Sequence, residues 1–329
     1  MMKKVTIDPI TRLEGHGKIE IFLDDKGDVK DAFLQVPELR GFEKFCQGRP
    51  VEEMPRITSR ICGVCPEAHL MASAKAGDAV YNLTIPETAK MLRELLYMIF
   101  YVTDHTTHFY ALGGPDFVLG PGAPKEQRNI LGVVHKVGLE IGGKVIGMRG
   151  LCHELIQKIG GKAVHPVGAL IGGMSKRLSP ELRDEVLKAG RQAVEFGQFT
   201  ISLFNDIVLK NKEYVDLILS DTFTHNTYNM GLVDKNNQVN FYDGDIRVVD
   251  PEGKEFVKFR PEDYLKHISE HVEEWTYLKF PFLKKIGWKG FTDGKSSGVY
   301  KATPLSRLNV SEGMATPLAN EEYQRMYDT

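Results

Sequence analysis

Arg60-Ile61-Cys62-Gly63-Val64-Cys65-Pro66-Glu67-Ala68-His69 is the stretch on which the reading of this chain turns. It places two of the four cysteines at the mouth of an alanine-rich helix. Pro66 suits the first helical position, where its missing N–H would have had no partner anyway. The positive end of that helix faces Cys65 and is expected to favour thiolate over thiol. His69 follows Cys65 by four residues, one helical turn. Two thiols and an imidazole at this spacing make either a metal site or a redox site.

Rival readings of the pair are open at this point. A closed structural zinc site needs four ligands, and Cys62, Cys65 and His69 give three with no second CxxC to complete them. A thioredoxin-like dithiol fits Cys-Gly-Val-Cys before a helix, but that motif belongs to a strand–helix unit, and here Pro50 and Pro55 punctuate the approach. A pair of buried structural cysteines leaves the charged neighbours Arg60, Glu67 and His69 without explanation.

Working outward, 329 residues are enough to bury a large core. A net charge of −2 argues against nucleic acid or an anionic membrane as the main partner. No run of about 18 uncharged apolar residues is present, so no membrane-spanning helix is expected. The opening Met-Met-Lys-Lys-Val-Thr-Ile lacks the apolar core of a signal peptide. Four cysteines do not make a disulfide framework at this length, and a reducing cytoplasm is the expected compartment.

Residues 5–36 read as β, with strands at Lys18–Leu23 and Val29–Val36 joined by a turn through Asp24 to Asp28, in which Gly27 can take positive φ. A short helix is expected over 41–48. Helices follow from Pro66 to Tyr81, from Pro86 to about Leu112 with a stop at Gly113-Gly114-Pro115, and over 127–159. Another, capped by Ser179, runs to about Asn211, and a shorter one covers 213–219. Strands are expected over 238–259, a helix over 261–278, and a loop-rich end. The fold class is α+β, a mainly helical bundle with a small β-rich N-terminal part and a β-hairpin insertion. One domain is expected over 1–329: β-rich 1–40, helical 41–220, a β-containing insertion 221–260 and a helix and loop-rich tail 261–329.

A second cluster of chemistry lies in Asp8-Pro-Ile-Thr-Arg-Leu-Glu-Gly-His-Gly-Lys-Ile-Glu20, where Glu14 sits between Arg12 and His16. It reads either as a polar strand end or as a carboxyl that relays protons to a nearby metal. Taken together, Arg12-Leu-Glu-Gly-His16, Arg40-Gly-Phe-Glu-Lys-Phe45 and Arg60-Ile-Cys-Gly-Val-Cys65 with His69 resemble the large subunit of nickel–iron hydrogenases. Asp104-His105 to His108-Phe-Tyr110, Gly160-Gly-Lys-Ala-Val-His-Pro166 and Pro304-Leu-Ser-Arg-Leu-Asn-Val310 extend the resemblance over nearly the whole chain. It is nearest to the cytoplasmic, F420-non-reducing branch that works with heterodisulfide reductase.

The resemblance implies reversible oxidation of H2 at a Ni–Fe centre whose iron carries carbon monoxide and cyanide. Cys65 would bridge nickel and iron, and Cys62 would be terminal on nickel; soft thiolates suit both metals. Glu14 would take the proton from H2 cleavage, His69 would hydrogen-bond beside the bridging sulfur, and Arg60 would serve the same chemistry. Glu43 matches a carboxylate that binds a separate Mg or Fe ion. Electrons would leave through a small iron–sulfur subunit, then a further iron–sulfur subunit, with heterodisulfide reductase downstream. The family places a second CxxC near its C-terminus, and no such motif occurs here, so a fragment or a split subunit is expected. Cys46 and Cys152 are expected to pack or face solvent. His105 and His108 read first as core residues that could also face the electron-transfer subunit, and His165 as close to the route to its cluster. The competing readings are a structural homologue without the metal and a dithiol oxidoreductase.

Overall fold

The computed structural model describes residues 3–38, 40–222 and 224–328. The chain forms two compact units, one from residues 1–8, 17–37 and 219–329, the other from 9–16 and 38–218. It opens with an antiparallel meander of β1 (Lys3–Ile7), β2 (Lys18–Leu23) and β3 (Val29–Gln35). The β2–β3 turn is closed by Asp24, whose carboxylate accepts from the amides of Lys26 at 2.8 Å and Asp28 at 3.0 Å. Phe33 of β3 packs edge-on against Trp275, 5.1 Å between ring centres, which fastens the meander to later parts of the same unit.

The helical unit begins with the single turns α1 (Phe42–Phe45) and α2 (Met54–Thr58), then α3 (Pro66–Val80) and α4 (Glu87–Thr107). The stop expected at Gly113-Gly114-Pro115 does not occur. The helix widens into a π turn over His108–Gly113 and continues as α5 (Gly114–Leu119). The wider turn separates the proline ring from the preceding carbonyls, which removes the clash that ends a helix at proline. The single helix expected over 127–159 is two, α6 (Ile130–Val137) and α7 (Leu139–Gly160), because Gly138 between them takes φ 94°. Asn129 caps α6, accepting from the amides of Leu131 at 3.0 Å and Gly132 at 3.1 Å.

The core of this unit is the seam between α4 and α7, where Leu92, Leu96, Ile99 and Phe100 are buried, as are Met148, Cys152, Leu155, Ile156 and Ile159. Arg93 of α4 is fully buried and pairs with Asp78 of α3 at 2.6 Å. It also donates to the carbonyls of Leu170 and Gly173, in the two-residue strands β4 (Ala169–Leu170) and β5 (Gly173–Met174). Asp78 in turn accepts from the Gly172 amide at 2.7 Å. One buried ion pair therefore ties α3, α4 and the β4–β5 hairpin together. Ser179 caps α8 (Pro180–Phe204), and α9 (Lys212–Ile218) completes the unit.

The chain then forms β6 (Tyr228–Val233), β7 (Asp245–Val249) and β8 (Glu255–Phe259), the one-turn α10 (Tyr264–His267), and the hairpin of β9 (Ile268–Val272) with β10 (Lys279–Leu283). The helix expected over 261–278 thus lasts one turn. Ile268 faces Leu283 and His271 faces Phe280 across the hairpin, and pairing of β9 with β10 outweighs helical propensity. Residues 284–299 are irregular, and after β11 (Tyr300–Lys301), which lies parallel to β6 at the edge of the sheet β11-β6-β7-β8, come two helices, α11 (Pro304–Asn309) and α12 (Pro317–Asp328), separated by a further loop. Tyr228, Met230, Val248, Phe259 and Leu283 form the core of this unit. Among the described residues, no helix is long and apolar enough to cross a membrane. The result is α+β.

Candidate metal centre

Cys62 leaves the 3₁₀ turn Ser59–Ile61 in extended conformation, and the chain turns through Gly63 and Val64 so that Cys65 becomes the cap residue of α3. This turn aims two amides at the first sulfur: Val64 N–H at 3.3 Å and Cys65 N–H at 3.2 Å from Cys62 Sγ. His69, one turn along α3, lies on the same face as Cys65. The ligand atoms of Cys62, Cys65 and His69 all fall within 4.8 Å of one another, and all three residues are half-buried. Glu14 arrives from the 9–16 segment, and its carboxylate accepts from Cys62 Sγ at 3.5 Å. The two sequence clusters, 48 residues apart, thus meet at one sulfur.

The loop that carries the pair is braced from behind. Buried Ser59 presents its carbonyl to His165, whose Nδ1 donates to it at 2.8 Å. Arg12 fixes the Glu14 segment from α5: its Nε donates to Asp116 at 3.0 Å, and a second nitrogen lies 3.0 Å from the other carboxylate oxygen.

The electrostatics reverse one expectation. The Cys65 thiol is pushed up to about 12 by burial, with neighbouring Cys62, Glu14 and Asp104 adding to the rise. The partial charge at the start of α3 does not offset desolvation and three acidic neighbours. Glu67 is pushed up to about 7, first by burial and then by Asp104. Burial lowers His69, keeping its imidazole neutral and able to ligate, and raises Asp104 against the opposing effect of His105 and His108. Half-buried thiols beside carboxylates suit a cation, since a coordinating metal removes the thiol proton outright. Two sulfurs with an adjacent imidazole are soft donors, and they fit part of a thiolate-held nickel–iron centre.

Behind the loop lies a cavity of about 200 Å³ lined by Val64, Glu67, Thr103, Asp104, Arg149 and His153, among others. Thr103 Oγ1 and Arg149 Nε are buried there without a hydrogen-bond partner among the described residues. A space of this size and polarity suits ordered water. Sequence reasoning missed Thr103, Arg149 and His153. The available signal was a pair of polar residues at i, i+4 on each of two helices, Thr103 with Thr107 and Arg149 with His153.

The other site candidates are not gathered here. Glu43 on α1 is exposed and bonds to Arg40 Nε at 2.9 Å. Among the described residues, Cys62, Cys65 and His69 form the one group of three or more potential metal ligands, and Glu43 is outside it. Arg60 is exposed beside Cys62, with no hydrogen bond or ion pair to the described residues. Cys152 is buried with its sulfur 4.0 Å from that of Met148, and Cys46 is half-buried after α1.

Comparison with known proteins shows the family. Residues 40–126 match the family model described as nickel-dependent hydrogenase, and residues 4–39 match one described as HoxL-like. The chain is 46% identical over 327 residues to the iron-sulfur A-subunit of the F420-non-reducing hydrogenase of Archaeoglobus profundus, covering 99% of this chain and 67% of that protein. It is 44% identical over 326 residues to the vhu A-subunit of the F420-non-reducing hydrogenase of Methanocaldococcus jannaschii, covering 99% of this chain and 75% of that protein. Among solved structures, an NAD+-reducing [NiFe]-hydrogenase in the H2-reduced state superposes with a TM-score of 0.90 at 33% identity, over 98% of this chain and 69% of that one. Fold and similarity agree, and the chain belongs to the nickel-dependent hydrogenase family as a large subunit.

Proposed function

We propose that this chain is the large subunit of a [NiFe] hydrogenase that oxidises H2 reversibly to protons and electrons. The observation that carries the proposal is the meeting of Cys62, Cys65 and His69 within 4.8 Å, with Glu14 3.5 Å from the first sulfur. Cys62 and Cys65 would hold the Ni–Fe group through their sulfurs, Cys62 toward the nickel and Cys65 toward both metals, with carbon monoxide and cyanide as the further ligands of the iron. These 329 residues hold no second CxxC, and further thiolates would complete the set that holds the group. When bound, the Ni–Fe group supplies the redox and Lewis-acid chemistry that splits H2.

The protein side chains do the rest. Glu14 accepts the proton from beside Cys62 and passes it outward, a task that suits an exposed carboxylate at the edge of the site. His69 orients the Cys65 sulfur from one turn along α3. Arg60, exposed beside the pair, holds a positive charge next to the thiolates. Glu43 is the candidate carboxylate for a Mg or Fe ion, reached by giving up its bond to Arg40. Electrons pass to an iron–sulfur small subunit, then through a further iron–sulfur subunit to heterodisulfide reductase, in the cytoplasm.

The test is H2-dependent reduction of a viologen dye by the assembled complex. Activity that Cys62→Ser abolishes supports the proposal. A complex that never reduces the dye under H2, or one in which Cys62→Ser runs at the wild-type rate, rules it out.

A further inference from the structure

We infer that Arg12 and Asp116 act as a clamp that positions Glu14 against Cys62, so that Arg12 and Asp116 are positioning residues for the proton step. The inference rests on the role proposed above for Glu14. Little apolar burial holds the segment that carries Glu14, for Leu13 is 45% exposed. Its ties are polar. Arg12 Nε donates to Asp116 Oδ2 at 3.0 Å, and its Nη2 forms an ion-pair contact with Oδ1 at 3.0 Å. His16 adds a more exposed tie to Glu38, at 2.9 Å from its amide and 2.5 Å from its ring.

Backbone geometry makes the first tie the decisive one. Arg12 has φ 58°, the left-handed region that non-glycine residues avoid, and such a conformation persists when the surroundings hold it there. The planar guanidinium meets the carboxylate through two of its nitrogens, one hydrogen-bonded and one in ion-pair contact, and so fixes direction as well as distance, which a lysine cannot do. Asp116 lies in the first turn of α5, one residue beyond buried Pro115. Arg12 is 24% exposed and Asp116 40%, whereas His16 and Glu38 are 75% and 49% exposed, so the Arg12 pair is the better shielded of the two. Two residues from the clamped arginine, Glu14 stands beside the sulfur.

The test uses the assembled complex with nickel and iron content matched between variants. It measures exchange of H2 with D2O and, on the same preparations, deuterium uptake by the backbone amides of residues 10–16. Glu14→Gln is expected to slow exchange about 100-fold or more. Arg12→Ala and Asp116→Asn each slow it about 10- to 100-fold, with faster deuterium uptake over 10–16, and Arg12→Lys recovers only part of the rate. Because the clamp acts through Glu14, the double variant Arg12→Ala/Glu14→Gln exchanges within about twofold of Glu14→Gln alone. A merely structural role predicts multiplied losses in the double variant. That result, a wild-type rate in both Arg12→Ala and Asp116→Asn, or unchanged uptake over 10–16 overturns the clamp. Wild-type exchange by Glu14→Gln instead sinks the proton role of Glu14, and the positioning claim with it.

Discussion

Replacing Arg93 by methionine should cost this protein more stability than any surface change, and the structure sets the scale. Arg93 is fully buried, and its guanidinium bonds to Asp78 at 2.6 Å and 3.4 Å and to the carbonyls of Gly173 and Leu170. Methionine keeps most of the volume and removes every donor. Asp78, 11% exposed at its side chain, is left with the Gly172 amide, and two hairpin carbonyls lose their donor. Removing one partner of a buried pair costs about 3–5 kcal/mol, most of it the penalty of the stranded charge. Asp78→Asn should cost a similar amount, since the amide can still accept from Gly172 but leaves the charge of fully buried Arg93 uncompensated. The double variant should be milder than the sum of the two by about 1–3 kcal/mol, because nothing is left uncompensated. Urea denaturation followed by circular dichroism measures all three. An Arg93→Met variant within about 1 kcal/mol of wild type, or strict additivity in the double, would refute the view that this pair is the tie between α3, α4 and the hairpin.

Two further outcomes follow from particular contacts. In the metal-free chain, the rate of Cys65 alkylation by iodoacetamide should keep rising toward pH 12, because a raised thiol releases its proton only at high pH; an inflection near the ordinary value of about 8.5 would contradict the burial described here. Gly231→Ala in β6 would place a Cβ 2.6 Å from a methyl of fully buried Val310 and 3.1 Å from the Arg307 Cα. It should therefore destabilise by about 1–3 kcal/mol in urea, and a neutral result would mean that α11 can shift away.

Local chemistry made much of this legible in the sequence. Pro66 marks the start of α3, Ser179 caps α8, and the Asp24 turn sets the β2–β3 hairpin, each through interactions that span a few residues. The CxxC spacing likewise put Cys62, Cys65 and His69 on one site. What failed were features settled at long range. β6 was not foreseen, because Asn229 and Gly231 break the apolar pattern; Asn229 is buried where Asn309, 80 residues on, can bond to its side-chain oxygen at 3.4 Å. Arg93 in a charged stretch reads as a surface residue until Asp78 appears opposite it. The π turn through His108 to Gly113 lets the chain run past a proline that normally ends a helix. At the site itself, a helix start suggested an activated thiolate, but desolvation and nearby carboxylates, invisible in spacing, win at Cys65. Arg12 and Asp116, 104 residues apart, carry no signal that would pair them.

The central claim is that the Cys62–Cys65 pair holds nickel. Its most direct test is the X-ray absorption spectrum at the nickel edge, recorded on the assembled complex with wild-type chain and with Cys62→Ser. Sulfur scatterers next to nickel in the wild type, reduced in number or lost together with the metal in Cys62→Ser, are the expected result. Nickel surrounded by nitrogen and oxygen alone, or a sulfur shell that Cys62→Ser leaves unchanged, would contradict it.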